Sequence, residues 1–323
     1  MRQSSFFVSI TLFAMLVASA QATIRQVPAQ YATIQLAENA CSSDDTILVA
    51  PGTYAGVFID ERIVLIGSGI TSPRTTIGRV NFSFGSQPAV MEGFYVTEAD
   101  SEYAVVFVDV FAEALIRRCV IENTHPHAYQ ALENDERLVL EDCVIQFPAL
   151  NGAIGVIAVW VGNPGDSVAM RNCVISFPDA SNSGTRCFAG GSASLFVQNC
   201  VFLNADAVLF SSFSPSQVLV NNIAYGIGVW GTFAPNALIS NNAGDELPPG
   251  TNAVLLTSSP FVNYTTNYVF GTSDLHLHPT NGAPCIDTGI LTLTDLLDGT
   301  RSDMGIYGGP TPFIDSGAPP YPY

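Results

Sequence analysis

A column of turn residues recurs every 19–30 residues along this chain and restricts what it can fold into. Aligned segments read Leu65-Ile66-Gly67, Met91-Glu92-Gly93, Ile116-Arg117-Arg118, Leu140-Glu141-Asp142, Met170-Arg171-Asn172, Val197-Gln198-Asn199, Val220-Asn221-Asn222 and Ile239-Ser240-Asn241. Seven of the eight closing residues are Gly, Asp or Asn, types that tolerate the left-handed backbone of a sharp turn; Arg118 is the exception. The next position reads Phe94, Cys119, Cys143, Cys173, Cys200, Ile223 and Asn242. A chain that bends at one point in every repeat of this length is a solenoid.

Each repeat has the same parts. Two short apolar strands flank the turn, as in Arg137–Glu141 and Cys143–Gln146, and a third strand precedes the next pair. Third strands are expected at Tyr103–Val108, Ala153–Val161, Ala207–Phe210 and Gly226–Trp230, with long loops at His125–Glu136 and Pro178–Ala193. Three β segments per repeat and no helical period predict an all-β fold, a parallel β-helix of about eight three-strand rungs. At about 4.8 Å per rung the rod is roughly 40 Å long.

The alternation of strand residues sorts the faces. Just before the turn stand Glu92, Arg117, Glu141, Arg171, Gln198, Asn221 and Ser240, expected to point outward, the first four as a ladder of alternating charge. Two residues earlier stand Val90, Leu115, Val139, Ala169, Phe196, Leu219 and Leu238, an outward apolar stripe. Such a stripe needs a cover, either the C-terminal segment or a packing partner.

Residues 1–22 read as a signal peptide: Arg2, an apolar run from Phe6 to Val17, then Ala20-Gln21-Ala22 as a cleavage site. The run is too short to span a membrane, and no second one follows. The solenoid with its caps is expected over 23–310, and a Pro/Gly-rich tail over 311–323. An exported, secreted or cell-surface protein is implied. All eleven basic residues are Arg, and the formal net charge is −17. That charge repels nucleic acid, anionic membranes and anionic polymers. Of seven Cys, four lie in the repeat column and read as buried thiols. Cys41, Cys187 and Cys285 lie outside it, and their pairing is open.

The ends carry a resemblance. Ala32-Thr33-Ile34-Gln35 opens a short capping helix over Ile34–Ala40; Asp44 to Tyr54 and Ile63 to Gly69 follow as strands and turns. These segments resemble the opening of secreted right-handed parallel β-helix proteins of the pectin-lyase-like superfamily. The Asn column resembles that superfamily's asparagine ladder. Ala283 to Gly289 and Asp298 to Tyr307 look like its closing segment. The resemblance implies a right-handed parallel β-helix. The activities known on that fold include polysaccharide lyases, glycoside hydrolases and alginate-modifying enzymes, and it also includes non-enzymatic adhesins.

A lyase needs a base, often Arg or Lys, and Lys is absent. The catalytic candidates are His127, Glu133, Asp135 and Arg137, which put an imidazole, carboxylates and a guanidinium in one stretch. The Gly-His-Gly and Arg-Ile-Lys segments of the family's hydrolases are missing. His125-Pro126-His127 resembles the Pro-His core of the alginate-epimerase motif without its flanking Asp residues. Trp160, Tyr225 and Trp230 are candidate ligand-binding aromatics. Asp295, Asp298 and Asp303 fall within nine residues, so Ca²⁺ is the one cofactor the sequence leaves open. His276-Leu277-His278 belongs to the closing segment and reads as structural. The leading expectation is an exported β-helix protein that binds polysaccharide or another surface without a recognisable active site. The alternative is a carbohydrate-active enzyme, a lyase or hydrolase of a uronate-containing polymer.

Overall fold

The computed structural model describes residues 22–313 except 84, 179–182, 192, 211–215, 265–267 and 297. The signal peptide expected at 1–22 lies outside the described residues apart from Ala22, and the tail expected at 311–323 lies outside them beyond Phe313. Three parallel sheets wrap one core. Sheet A has ten strands: Ile24–Val27, Thr46–Val49, Val64–Ile66, Gly85–Glu92, Ala112–Arg117, Arg137–Glu141, Ser167–Arg171, Ser194–Gln198, Gln217–Val220 and Leu238–Ser240. Sheet B has ten, from Gly52–Tyr54 to Val254–Leu255, and sheet C has eight, from Val57–Ile59 to Val229–Gly231. Each strand pairs in parallel with its counterpart one rung away, as Arg137–Glu141 does with Ser167–Arg171. The chain is an all-β right-handed parallel β-helix of about eight turns, with the hand that parallel crossovers take. Its α-helix, Ile34–Glu38, is capped by Thr33, whose hydroxyl accepts from the Leu36 amide at 3.1 Å. Among the described residues no helix is long and apolar enough to cross a membrane.

The turn column sits between sheets A and B. Gly93, Arg118, Asp142, Asn172, Asn199, Asn221 and Asn241 all have φ between 50° and 77°. Arg118 therefore adopts the conformation its type disfavours, and its guanidinium lies 3.1 Å from Glu92. Gly67 has no positive φ; it is needed because a Cβ there would stand 2.4 Å from the Gly93 carbonyl. In the seventh segment the left-handed residue is Asn221, one position before the expected Asn222. The register of that rung shifts accordingly, and Val218 takes the place in the apolar stripe expected for Leu219. Asn252, with φ 54°, adds one more turn after a rung that has no sheet C strand.

With that correction the inward column after the turn reads Phe94, Cys119, Cys143, Cys173, Cys200, Asn222 and Asn242, all fully buried. The two Asn side chains close it with hydrogen bonds. The Asn222 side-chain carbonyl accepts from the Cys200 amide at 2.9 Å, and that of Asn242 accepts from the Asn222 amide at 2.9 Å. Their Nδ2 groups donate to Val197 at 3.1 Å and Leu219 at 2.9 Å. All seven Cys are free thiols, including Cys41, Cys187 and Cys285. Each column thiol donates to the carbonyl two residues earlier, at 3.0–3.3 Å. Burial pushes the Cys119, Cys173 and Cys187 thiols up, and Cys285 to about 12. Only Cys41 is partly accessible, and burial raises it to about 11. A thiol-labelling experiment on the folded chain is expected to modify Cys41 alone and slowly, with the other six reacting only after denaturation. Fast native labelling of any column Cys would contradict this packing.

Sheets A and C follow different side-chain rules. Sheet A alternates as expected, buried and half-exposed in turn. Sheet C does not. Val105 and Val106, Ala131 and Leu132, Ala158 and Val159, Cys187 and Phe188, and Val208 and Leu209 are consecutive pairs that all enter the interior core. The doubled inward step, repeated rung after rung, is why strands Gln130–Asn134 and Arg186–Gly190 were expected as loops.

A second core lies outside the helix. The outer face of sheet B carries Val120, Val144, Val174, Val201 and Ile223, which pack with Phe261, Leu275, Cys285, Met304, Ile306 and Phe313. Among the described residues the C-terminal segment thus covers sheet B, not the sheet A stripe. It is strapped to the turn column. Asn241 Nδ2 donates to Thr288 O at 2.7 Å, and Asn221 Oδ1 accepts from the Ile290 amide at 2.8 Å. Asn199 Nδ2 donates to Asp303 O at 2.9 Å, and Asn172 Nδ2 to Ile306 O at 2.8 Å and Gly308 O at 2.9 Å. The charge ladder forms as expected: Arg117 with Glu92 at 2.6 Å and Arg171 with Glu141 at 3.3 Å. Such half-exposed pairs contribute perhaps 0.2–1 kcal/mol each.

Candidate functional site

With sheet B covered and sheet A lined by the stripe and ladder, sheet C is the face that combines exposed aromatic and polar groups. Its in-register outer row is Phe58, Asn81, Phe107, Glu133, Trp160 and Ala189. Phe58 is 61% exposed, and Asn81, Phe107, Glu133 and Trp160 are partly exposed. Aromatic rings therefore occur on alternate rungs, about 10 Å apart, with a polar side chain on the rung between. Glu133 accepts from Gln130 Nε2 at 2.5 Å. Burial raises the Glu133 carboxyl above its usual range, and the Gln130 hydrogen bond opposes that only in part.

Two residues along the same strand end, Asp135 points to the same side. Its carboxyl is raised by burial and by Asp109, its neighbour one rung away. Asn163 Nδ2 donates to it at 3.4 Å. A Cβ on Gly162 would stand 2.0 Å from Asp135 Oδ1, so the glycine makes room for the carboxylate. Residues i and i+2 on one strand lie roughly 7 Å apart, inside the span that separates the paired carboxyls of glycosidases.

The four catalytic candidates do not share one face. His127 lies in the turn between sheets B and C, beside Tyr103, Tyr129 and Ile154 in a cavity of about 440 Å³. Glu133 and Asp135 lie on sheet C. Arg137 has passed to sheet A, where it pairs with Glu113 at 3.3 Å. The aromatics also separate. Trp160 stands in the sheet C row. Tyr225 packs edge-on against Tyr264 under the C-terminal segment, with centroids 6.2 Å apart. Trp230 is 4% exposed, points into the core at the last full rung and donates to Glu246 O at 2.8 Å. Phe58, Asn81 and Phe107 were missed from sequence; only the sheet C register reveals them.

The acidic C-terminal trio is tied to backbone. Asp295 accepts from the Asp303 amide at 3.0 Å and from the Gly309 amide. Asp298 accepts from the Thr300 amide at 2.8 Å, and Asp303 from the Asp287 amide at 2.7 Å. Arg301 donates to the Gly289 carbonyl at 2.5 Å and the Thr288 carbonyl at 3.1 Å, so backbone carbonyl oxygens hold it. Among the described residues no three His, Cys, Asp or Glu side chains converge as a metal site requires. His276 bonds Asp274 at 2.6 Å and stacks on Tyr307 with centroids 3.7 Å apart, a structural arrangement.

The three stacked parallel sheets and the asparagine turn column decide the architecture. The fold is a right-handed parallel β-helix. Two solved structures are similar to it. Pectate lyase Pel9A aligns at 14% identity over 89% of this chain and 96% of that chain, with a TM-score of 0.46. A pectin methylesterase variant in complex with a hexasaccharide aligns at 11% identity over 80% of this chain and 99% of that chain, with a TM-score of 0.34. No family model and no curated protein matches the sequence. On this β-helical frame, sheet C is the outer face whose aromatic row stays open.

Proposed function

We propose that the chain is an exported protein that binds a neutral, extended polysaccharide along sheet C. The observation that carries this reading is the row Phe58, Phe107, Trp160, one ring every second rung, with Asn81 and Glu133 between. Aromatic faces stack on the C–H faces of pyranose rings, and the amide and carboxylate take the hydroxyls. The spacing of about 10 Å suits a flat β-linked chain whose repeat is two sugars. Glu133, Asp135 and Asp109 make the row acidic, which opposes a polyuronate and favours an uncharged polymer. Trp160→Ala is expected to weaken binding at least tenfold in affinity electrophoresis or calorimetry with β-linked glucans, mannans and xylans, with the thermal melt unchanged. Equal retention of wild type and variant on every polymer would sink the reading.

A second reading rests on the two raised carboxyls. Burial raises Glu133 in the direction a general acid needs, and Asp135, raised as well, stands roughly 7 Å away as the second carboxyl. A hydrolase would release reducing ends from the polymer it binds. Glu133→Gln would then abolish release, while the Phe58, Phe107 and Trp160 rings still retain the polymer. Unsaturated products from a uronate polymer would instead point to a lyase.

A further inference from the structure

The outer face of sheet A carries the stripe Val64, Val90, Leu115, Val139, Ala169 and Phe196, continued by Val218, all half-buried. Val139, Ala169, Phe196 and Val218 line an open groove of about 210 Å³. Among the described residues the C-terminal segment packs on sheet B, so the stripe is not its seat. Charged residues flank it on both sides. Glu92, Arg117, Glu141 and Arg171 run along one edge; Glu113 and Arg137 stand on the other.

We propose that this face is a homodimer interface, with a second copy of the chain docked about a two-fold axis that runs along the strands through the middle of sheet A. Sheet A has ten strands, so the axis falls between Ala112–Arg117 and Arg137–Glu141, the fifth and sixth. Rotation about it keeps each residue's place along its strand and reverses the order of the rungs. Arg117 then faces Glu141 of the second copy, Glu92 faces Arg171, and Glu113 faces Arg137. All six charges meet opposite signs, and none meets its own. The stripe matches in size as well: Leu115 lies on Val139, Val90 on the small Ala169, and Val64 on the large Phe196. An isologous contact requires this self-complementarity, and the sheet's own sequence supplies it about its own midpoint. Ten strands at about 4.8 Å, each three outward residues wide, offer roughly 600 Å² per copy before side-chain relief, near the lower end for a stable pair.

Sedimentation equilibrium on the chain without its leader tests the proposal. A monomer–dimer equilibrium is expected that weakens several-fold between low and molar salt. Leu115→Asp, at the axis, is expected to give monomer. Arg117→Glu is expected to weaken the dimer at least tenfold, and adding Glu141→Arg to restore it, since the two positions face each other across the axis. Val90→Cys and Ala169→Cys chains are expected to cross-link under oxidation when mixed, and neither alone. Thermal melts establish that each variant is folded. A chain that stays monomeric at the highest soluble concentration overturns the proposal. So does a dimer indifferent to these substitutions, or one that cross-links in the single-variant samples. A monomer that dimerises only after deletion of residues 314–323 also overturns it, because the face would then belong to the chain's own tail.

Discussion

Replacing Asp142 with Asn is expected to stabilise the protein by about 2 kcal/mol at pH 9 and by much less at pH 5. Asp142 occupies the turn column with φ 54°, between Arg118 and Asn172. Asn172, Asn199 and Asn241 each donate an amide N–H to the C-terminal strap. A carboxylate has no such donor, and Asp142 Oδ1 is buried with no hydrogen-bond partner. Burial drives its carboxyl from 3.8 up to about 8, with Arg118 opposing the shift. The sign follows from proton uptake. The folded state keeps the proton that the unfolded state loses above its ordinary carboxylate range. Stability is therefore full below about pH 4, falls as pH rises through the interval, and reaches its lowest level above about 8. Asn removes the ionisation and keeps the left-handed turn. Chemical denaturation at pH 5, 7 and 9 checks it. A variant whose advantage does not grow with pH would show that Asp142 ionises freely in the folded chain.

Asn199→Ala is expected to cost about 3–4 kcal/mol, and Asn199→Gly about 1 kcal/mol less. The Asn199 amide donates to Asp303 O at 2.9 Å, Gly305 O at 3.2 Å and Ser302 Oγ at 3.3 Å. Its side chain is fully buried, so those acceptors find no water when it is removed. Ala adds the strain of a Cβ at φ 52°, which Gly escapes. The difference between the two variants separates turn strain from strap bonding. Hydrogen exchange is the sharper measurement: the amides of Asp303 to Gly309 are expected to lose protection in both variants, while sheet C keeps it. Uniform loss across the whole chain would mean that the strap and the coil unfold as one unit.

The turn column announced the coil because left-handed turns need particular residues, and those residues survive as letters in the sequence. The same letters misled at Val220-Asn221-Asn222. Both Asn residues tolerate the left-handed conformation, so composition alone could not choose, and the rung was set one place off. Hydrogen bonding chooses: Asn222 turns inward to serve Cys200 and Val197, which leaves Asn221 for the turn. Arg118 and Gly67 exchange roles for a comparable reason, since an ion pair to Glu92 and a close approach to Gly93 outweigh backbone preference. The sites were harder to read. Inward and outward could be told apart on sheet A, where the period is two, and that is why the charge ladder emerged correctly. Sheet C doubles its inward step, so Gln130–Asn134 looked like an acidic loop, and Glu133 was placed beside Arg137 when the two lie on different sheets. Trp230 carries the side chain of a sugar platform and serves as the plug of the core. Nothing local distinguishes those uses.

The strap joins residues made far apart in time. Asn172 and Ile306 are 134 positions apart, yet the strap's backbone closes the polar groups of four turns in the C-terminal half of the rod. A chain emerging from its amino end can stack rung on rung as it appears, each contact local to its neighbour. The bonds to Asn172, Asn199, Asn221 and Asn241 must wait for the last residues. Synthesis that stops early would thus leave a coil with its outer sheet B valines wet and its asparagines unsatisfied. Docking of the strap is therefore expected to show as resistance to proteases, so a copy that survives digestion is one whose strap is in place.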